Sequence, residues 1–285
     1  MRTHLIRLAR CGVVTLGLVS LDLVALDLGA ERSRGAEFRI QTSVFMGNEK
    51  TPASSNLTLF TNDVVYDYIA EPQEVTVFDP RRGRFVLLDV ERQIRTQIPT
   101  KDVARNMQEL RVHLANTKNN AIAAFFSNPQ FESNIDPDTK ELVLTSPIFT
   151  YRVTPLPVED STVLQTYVRF ANSYAQLNQV TKPASPPPFP RMAVNEILKG
   201  RGVIPAKIVF TASNPAKLAA NKSVTLKSVH AVQWKLFADD RKQIEETGRQ
   251  LVTFREVPPE EYLRLTNGAD QPNQQAARPA PAQKR

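Results

Sequence analysis

The chain offers few side chains that could perform catalysis or hold a metal, and its three histidines are the first to consider. His4 lies in the N-terminal segment, His113 falls within a helical pattern and His230 within a strand pattern. A catalytic zinc site takes three protein ligands, commonly histidines with carboxylate help, and these histidines are isolated from one another. We therefore expect His113 and His230 to be structural, with satisfied hydrogen bonds, and we expect no metal site.

Acidic residues cluster at one turn and in three pairs of sequence neighbours. The turn carries Asp136, Asp138 and Glu141, a spacing that resembles a calcium loop but lacks the glycine and remaining ligands of an EF-hand. General acid and base pairs more often come from separate strands that face each other across a cleft. We therefore expect solvated surfaces at the neighbouring pairs, which are Asp239–Asp240, Glu245–Glu246 and Glu260–Glu261.

Arginines crowd one predicted hairpin, at Arg81, Arg82, Arg84, Arg92 and Arg95. With two phenylalanines between them, they could follow a nucleic-acid backbone and stack bases. Acidic residues are interspersed, however, and an exported protein rarely meets nucleic acid. The pattern favours contact with anionic headgroups, and we expect no nucleic-acid partner.

Motifs of the common enzyme classes are missing from the sequence. It has no Gly-x-Ser-x-Gly, His-Glu-x-x-His, Gly-x-Gly-x-x-Gly, Cys-x-x-Cys or Walker motif. Its one cysteine excludes a disulfide scaffold and a thiolate metal site. With 41% hydrophobic and 23% charged residues and a net charge of +7, the composition is typical of globular proteins. We expect a non-enzymatic protein without a cofactor.

Residues 1–36 have the pattern of an export signal. Three arginines precede an apolar stretch from Gly12 to Leu28, and small residues then offer cleavage sites. Asp22 and Asp27 interrupt the stretch and disfavour a stable transmembrane helix. We predict a cleaved signal peptide and a periplasmic or secreted protein, with an uncleaved membrane anchor as the alternative. The basic balance is compatible with contact at a membrane surface.

The pattern of residues 37–265 predicts a single α+β domain. Strand-sized apolar runs recur between residues 38 and 98, at roughly 8–12-residue spacing, with a turn at Asp79–Gly83. Helical spacing follows at 100–126 and again at 160–180, where Asp160 or Ser161 can cap the helix. Further strands are expected at 130–154, 204–211 and 223–236.

Proline and polar composition mark the remaining segments. Residues 182–190 predict a proline-rich connector, which leads into a helix at 191–199. Asp239 or Asp240 can begin a last helix that runs to Gln250. Residues 266–285, rich in Gln, Ala and Pro, are predicted to be disordered. The expected fold is a large curved antiparallel β-sheet, an incomplete barrel of roughly nine to eleven strands, wrapped over three or four helices.

The order of these elements resembles the LolA superfamily of periplasmic lipoprotein carriers. The resemblance rests on the short strands from Val64 to Ile98, with their Asp79-Pro80 turn, and on the helix around Tyr167 to Leu177. In character the chain is also similar to exported bacterial proteins in general. The LolA resemblance implies that an incomplete barrel and its helices enclose an apolar cavity, which receives acyl chains.

Two functions from different classes follow from this reading. The first is an exported, non-enzymatic carrier or sensor of lipid or another apolar ligand in the cell envelope. In it, an aromatic cleft is lined by Tyr66, Phe78, Phe85, Tyr167, Phe170 and Tyr174, with Arg95 or Arg152 near a headgroup. The alternative is a structural protein that binds an envelope protein partner and no small molecule. An open groove between helix 160–180 and the sheet would favour the carrier.

Overall fold

The computed structural model describes residues 37–212 and 224–266. The predicted signal peptide lies outside the described residues, and so does the predicted disordered tail apart from Thr266.

The described chain alternates meanders of strands with pairs of helices. The first meander has six strands: β1 (Phe38–Met46), β2 (Ser54–Phe60), β3 (Val65–Ile69), β4 (Glu74–Asp79), β5 (Arg84–Asp89) and β6 (Ile94–Pro99). Two helices and three strands follow: α1 (Thr100–Asn116), α2 (Ala121–Ser127), β7 (Glu132–Ile135), β8 (Leu142–Thr145) and β9 (Phe149–Pro157). The rest comprises α3 (Ser161–Thr181), α4 (Phe189–Gly200), β10 (Val203–Ala212), β11 (Val224–Gln233), α5 (Ala238–Thr253), β12 (Arg255–Glu256) and α6 (Pro259–Thr266).

The strands form one sheet in the order β12-β6-β5-β4-β3-β2-β1-β11-β10-β9-β8-β7, which does not close into a barrel. Neighbouring strands are antiparallel except for the parallel pair β12–β6. The predicted α+β class is confirmed. The described residues hold 12 strands and 6 helices, more than expected, because α2, α6 and β12 are too short to show a clear periodicity.

Alternating side chains give the sheet two apolar faces, and each is covered by helices. On one face, Phe78 and Phe85 pack against α3, together with Ile98 of β6. On the other face, Val77 and Leu88 pack against α5. The helix α4 covers the β8–β10 end of the sheet on the α3 side. Adjacent residues on a strand therefore pack into the cores on opposite faces of the sheet.

Aspartate-led turns recur between the strands. Asp79 and Asp89 each accept a backbone N–H three residues later, at 3.0 Å and 2.8 Å. Asp136 accepts the N–H groups of Asp138 and Thr139 in the same way. Each turn ends in a left-handed residue four positions after its aspartate, with φ of 61° at Gly83, 52° at residue 93 and 59° at residue 140. The predicted Asp79–Gly83 turn is confirmed, and it occurs in three copies.

Candidate functional site

Helix α3 lies where the sequence predicts it, and Asp160 caps it. The Asp160 carboxylate accepts the N–H of Thr162 at 2.7 Å and of Val163 at 3.4 Å, which satisfies two free donors of the first turn. Along its buried stripe, the ring of Phe170 meets Phe60 of β2 edge-on at 5.6 Å. The cap thus fixes where the helix begins, and the stripe fixes which face meets the sheet.

Four of the six aromatic residues predicted to line a cleft lie in a closed core. Phe78, Phe85, Tyr167 and Phe170 are only 3%, 1%, 7% and 6% exposed. The cavity that borders the C-terminal half of α3 measures about 40 Å³, about the space of one water molecule. These side chains pack α3 onto the sheet in this structure.

Tyr174 joins them on the same face, beside a buried carboxylate. Asp67 of β3 is 1% exposed and accepts hydrogen bonds from Asn56 and Thr58, both at 2.6 Å. Burial raises the pKa of Asp67, although its hydrogen bonds oppose the shift. Burial and the Asp67 charge together hold the pKa of Tyr174 well above its usual value. This polar contact interrupts the apolar interface under α3.

Tyr66 lies apart from the other five aromatic residues. It alternates with Val65 and Asp67 along β3 and packs with Val77 and Leu88 on the α5 face. The prediction grouped it with the others because it is aromatic and lies in the same meander. The period of two along a strand sends its side chain to the opposite layer.

The two arginines proposed for a headgroup are also kept apart from the aromatic core. Arg95 pairs across the sheet with Leu88 on the α5 face, and it binds Glu256 at 2.8 Å. Arg152 alternates with Tyr151 and Val153, which face α4, so it lies on the other side of β9. Seven strands separate β6 from β9 in the sheet order. The structure therefore brings neither arginine to the aromatic stripe.

Arg152 is instead the centre of an ion-pair network at the third aspartate-led turn. It contacts Asp136 at 2.6 Å and Glu141 at 3.0 Å, and Lys207 contacts Glu141 at 2.9 Å. Hydrogen bonds from the turn backbone and from Arg152 hold the pKa of Asp136 far below its usual value. The residues that resembled a calcium loop are thus partly neutralised by arginine and lysine. No group of three metal-ligating side chains occurs among the described residues.

An open groove of about 1050 Å³ lies at the N-terminal end of α3. Its apolar wall contains Phe38 of β1, Val158 and Val163 near the start of α3, and Trp234 just after β11. The rings of Phe38 and Trp234 are 6.0 Å apart, and Trp234 is 50% exposed. A groove of this volume can hold a ligand of drug or lipid-chain size.

Charged side chains line the rim of this groove. Arg241 binds Glu37 at 2.6 Å, and Lys235 lies 5.3 Å from the centre of the Phe237 ring. Asp160, the cap of α3, also borders the opening. The rim thus carries both signs of charge around an apolar floor, an arrangement that suits a ligand with an apolar body and a polar end.

The sequence analysis did not identify the groove. Phe38 and Trp234 are separated by almost the whole described chain, and the β1–β11 pairing brings them together. The available signal was Trp234, the sole tryptophan, at the end of an alternating strand. An aromatic side chain in the alternation of a strand is equally typical of a core position, so the pattern alone could not show its exposure.

His230 lies on the α3 side of β11, with both ring nitrogens bonded. Thr42 of β1 contacts Nδ1 at 3.0 Å, and Ser228 contacts Nε2 at 3.1 Å. Burial, and secondarily the positive charge of Arg191, lower the pKa of His230 to about 4. The expectation of a hydrogen-bonded His230 is confirmed. His113 lies on the exposed side of α1.

Comparison with known proteins gives little beyond this geometry. No protein-family model and no curated protein matches the chain. Among solved structures, a LolA superfamily protein from Nitrosomonas europaea matches 72% of this chain and 89% of its own, with 6% identity and a TM-score of 0.28. At this identity and TM-score neither a fold family nor a function is inferred from the match. None of the described helices combines the length and apolar character needed to cross a membrane.

Proposed function

We propose that this chain is an exported, non-enzymatic protein that binds the apolar part of a ligand, such as a lipid chain, in the groove beside Trp234. The observation that supports the proposal most directly is the groove itself, about 1050 Å³ of open space with an aromatic and aliphatic wall. Exposed aromatic surface beside a concavity commonly marks a binding site. Export is part of the proposal and rests on the pattern of residues 1–36.

The groove replaces the predicted cleft as the ligand site in this proposal. The apolar stripe of α3 is occupied by the sheet, whereas Phe38 and Val163 present an edge of that same core to the groove. A ligand chain placed there extends the core outward, and no buried contact has to open. Burying Trp234 under a ligand removes apolar area from water, which favours binding.

The sole tryptophan provides a direct assay. We expect titration of the full chain with decanol, a neutral apolar probe, to shift the Trp234 emission to the blue as its ring leaves water. Val158→Arg places a charge in the groove wall and should abolish the shift. Val252→Arg is the matched control, because Val252 lies on α5 and is 83% exposed. An unchanged emission in the native protein, or an equal shift in Val158→Arg, would refute the groove.

Recovery of the protein from a bacterial envelope fraction tests the natural ligand and export together. Native mass spectrometry should show a chain that starts at or after Ala30 and releases a lipid-sized mass. A ligand-free mass in the same preparation contradicts the carrier role. An intact N-terminus contradicts the cleaved signal and places the anchored alternative first.

One observation favours the second candidate, an interaction protein of the envelope. The interface between α3 and the sheet is closed, as the structural alternative expects, and the rings of Trp234 and Phe237 are 50% and 40% exposed. In that case an envelope protein partner covers these rings. Decanol would then leave the emission unchanged, which separates the two functions in the same assay.

A further inference from the structure

The charges on the rim of the groove are only partly neutralised by one another. Five charged residues line the groove, namely Glu37, Glu159, Asp160, Lys235 and Arg241. Three of them are engaged, since Arg241 binds Glu37 at 2.6 Å and Asp160 accepts two backbone N–H groups of α3. The ion pairs within residues 37–212 and 224–266 involve neither Glu159 nor Lys235. The rim thus presents one carboxylate and one ammonium group to a ligand.

Both of these residues are exposed, and each directly follows an apolar residue of the groove. Glu159 follows Val158 in the connection from β9 to α3, and Lys235 follows Trp234 in the connection from β11 to α5. The ammonium group of Lys235 lies 5.3 Å from the centre of the Phe237 ring, which holds it beside aromatic surface. A ligand chain that packs against Val158 and Trp234 therefore ends near both charges.

The helices α3 and α5 both begin at the groove, but their first turns already hold carboxylates of this chain. A helix N-terminus attracts anions through N–H groups that have no partner within the helix. In α3 the Asp160 carboxylate accepts the N–H groups of Thr162 and Val163. At α5 the Asp240 carboxylate accepts the N–H of Phe237 at 2.8 Å. An anionic group of a ligand is therefore attracted to the lysine on the rim and not to a helix end.

We propose that the groove selects an amphipathic ligand with a zwitterionic headgroup, whose phosphate contacts Lys235 and whose ammonium group contacts Glu159. This inference rests on the function proposed above, which places the apolar chain of the ligand in the groove. A lysine ammonium group is a common partner of phosphate, and the exposed Trp234 ring can contact the ammonium group of the ligand. A headgroup with a single charge would pair with one rim residue and face a like charge on the other. Such charge complementarity governs specificity more than affinity.

Four probes that share a decyl chain separate the headgroup from the chain. They are uncharged decanol, anionic decyl phosphate, cationic decyltrimethylammonium and zwitterionic decylphosphocholine, each titrated below its micelle concentration while the Trp234 emission is followed. Two exposed ion pairs, each contributing a factor of about two to five, should make decylphosphocholine bind at least about four-fold more tightly than decanol at low salt. It should also bind more tightly than either singly charged probe. High salt screens exposed charges, so the advantage over decanol should shrink there.

Lys235→Gln and Glu159→Gln test the two rim charges separately. Each should weaken the binding of decylphosphocholine by about two- to five-fold. Glu159→Gln should in addition bind decyl phosphate more tightly than the native protein does, because it removes a like charge from the rim. Lys118→Gln and Glu109→Gln are the matched controls, since both residues are exposed and lie outside the groove, and they should bind with native affinity. An unchanged decanol response in all four variants shows that the groove is intact.

Failure of this inference can be told apart from failure of the proposed function. If decanol leaves the emission of the native protein unchanged, the groove takes up no chain, and both proposals are overturned. If decanol shifts the emission but the four probes bind equally, or a singly charged probe binds most tightly, the headgroup assignment is overturned and the groove remains. Native affinity of Lys235→Gln or of Glu159→Gln for decylphosphocholine overturns the assignment as well.

Discussion

Acid should destabilise this protein through His230 in particular. Its pKa falls from 6.5 to about 4 on folding, first because the ring is buried and then because Arg191 is positive. Between pH 6.5 and about pH 4, His230 is protonated in the unfolded chain and neutral in the folded chain. The stability that neutral His230 contributes is therefore fully present above pH 6.5 and is lost as the pH falls toward 4. The whole shift corresponds to about 3 kcal/mol, of which about 2.5 kcal/mol is lost by pH 4.5.

Urea unfolding at pH 7.5 and pH 4.5, followed by far-ultraviolet circular dichroism, measures this loss. His230→Gln retains hydrogen-bonding capacity but cannot be protonated, so its free energy of unfolding should fall by about 2.5 kcal/mol less than that of the native protein. The carboxylates titrate in both proteins, so their effect on the free energy of unfolding cancels in the comparison. His113→Gln, on the exposed side of α1, should behave as the native chain does.

The reasoning is refuted if His230→Gln loses as much stability between the two pH values as the native protein. The same comparison can be made with Arg191→Gln added to both proteins. If the difference between native and His230→Gln then mostly disappears, the Arg191 charge outweighs burial as the cause of the pKa shift. In the native protein burial is the larger cause, so Arg191→Gln should remove only the minor part of the effect.

Four further substitutions test the turns, the cap and the buried carboxylate by urea unfolding. Gln93→Gly should stabilise the protein by about 1 kcal/mol and Gly83→Ala should cost a similar amount, because both positions have left-handed backbone. Asp160→Ala should cost about 1 kcal/mol through loss of the α3 cap. Burial raises the pKa of Asp67. As the pH falls through that pKa, the free energy of unfolding of the native protein should therefore increase relative to that of Asp67→Asn. Parallel pH profiles of the two free energies would contradict this.

Local patterns in the sequence were sufficient for most elements of the fold. The Asp79 turn, the Asp160 cap and the broad stripe of α3 each depend on residues within a few positions of one another, and each is observed. The helix predicted to begin near Asp239 is present as α5, and there the Asp240 carboxylate accepts the N–H of Phe237 and binds Arg39 at 2.7 Å. Hydrophobic periodicity and helix capping both depend on residues that are close in sequence, so a sequence pattern can reveal them.

The layer that a side chain joins was harder to predict. Tyr66 and Phe78 are both aromatic residues of the same meander, but only the register between strands places one under α5 and the other under α3. Arg95 is paired with Glu256, which lies 161 positions later in the chain. Residue type alone indicates that a side chain can bind a lipid, whereas its strand partner decides which surface it faces.

The candidate groove depends on one long-range contact, the pairing of β1 with β11. That pairing sets Phe38 beside Trp234 at the groove, and Thr42 opposite His230 on the same face of the sheet. The partners Thr42 and His230 are 188 positions apart, so no periodicity within a window of the sequence can join them. The strand pair carries an apolar end and a polar end on the same face, with Ile40 and Val232 between them.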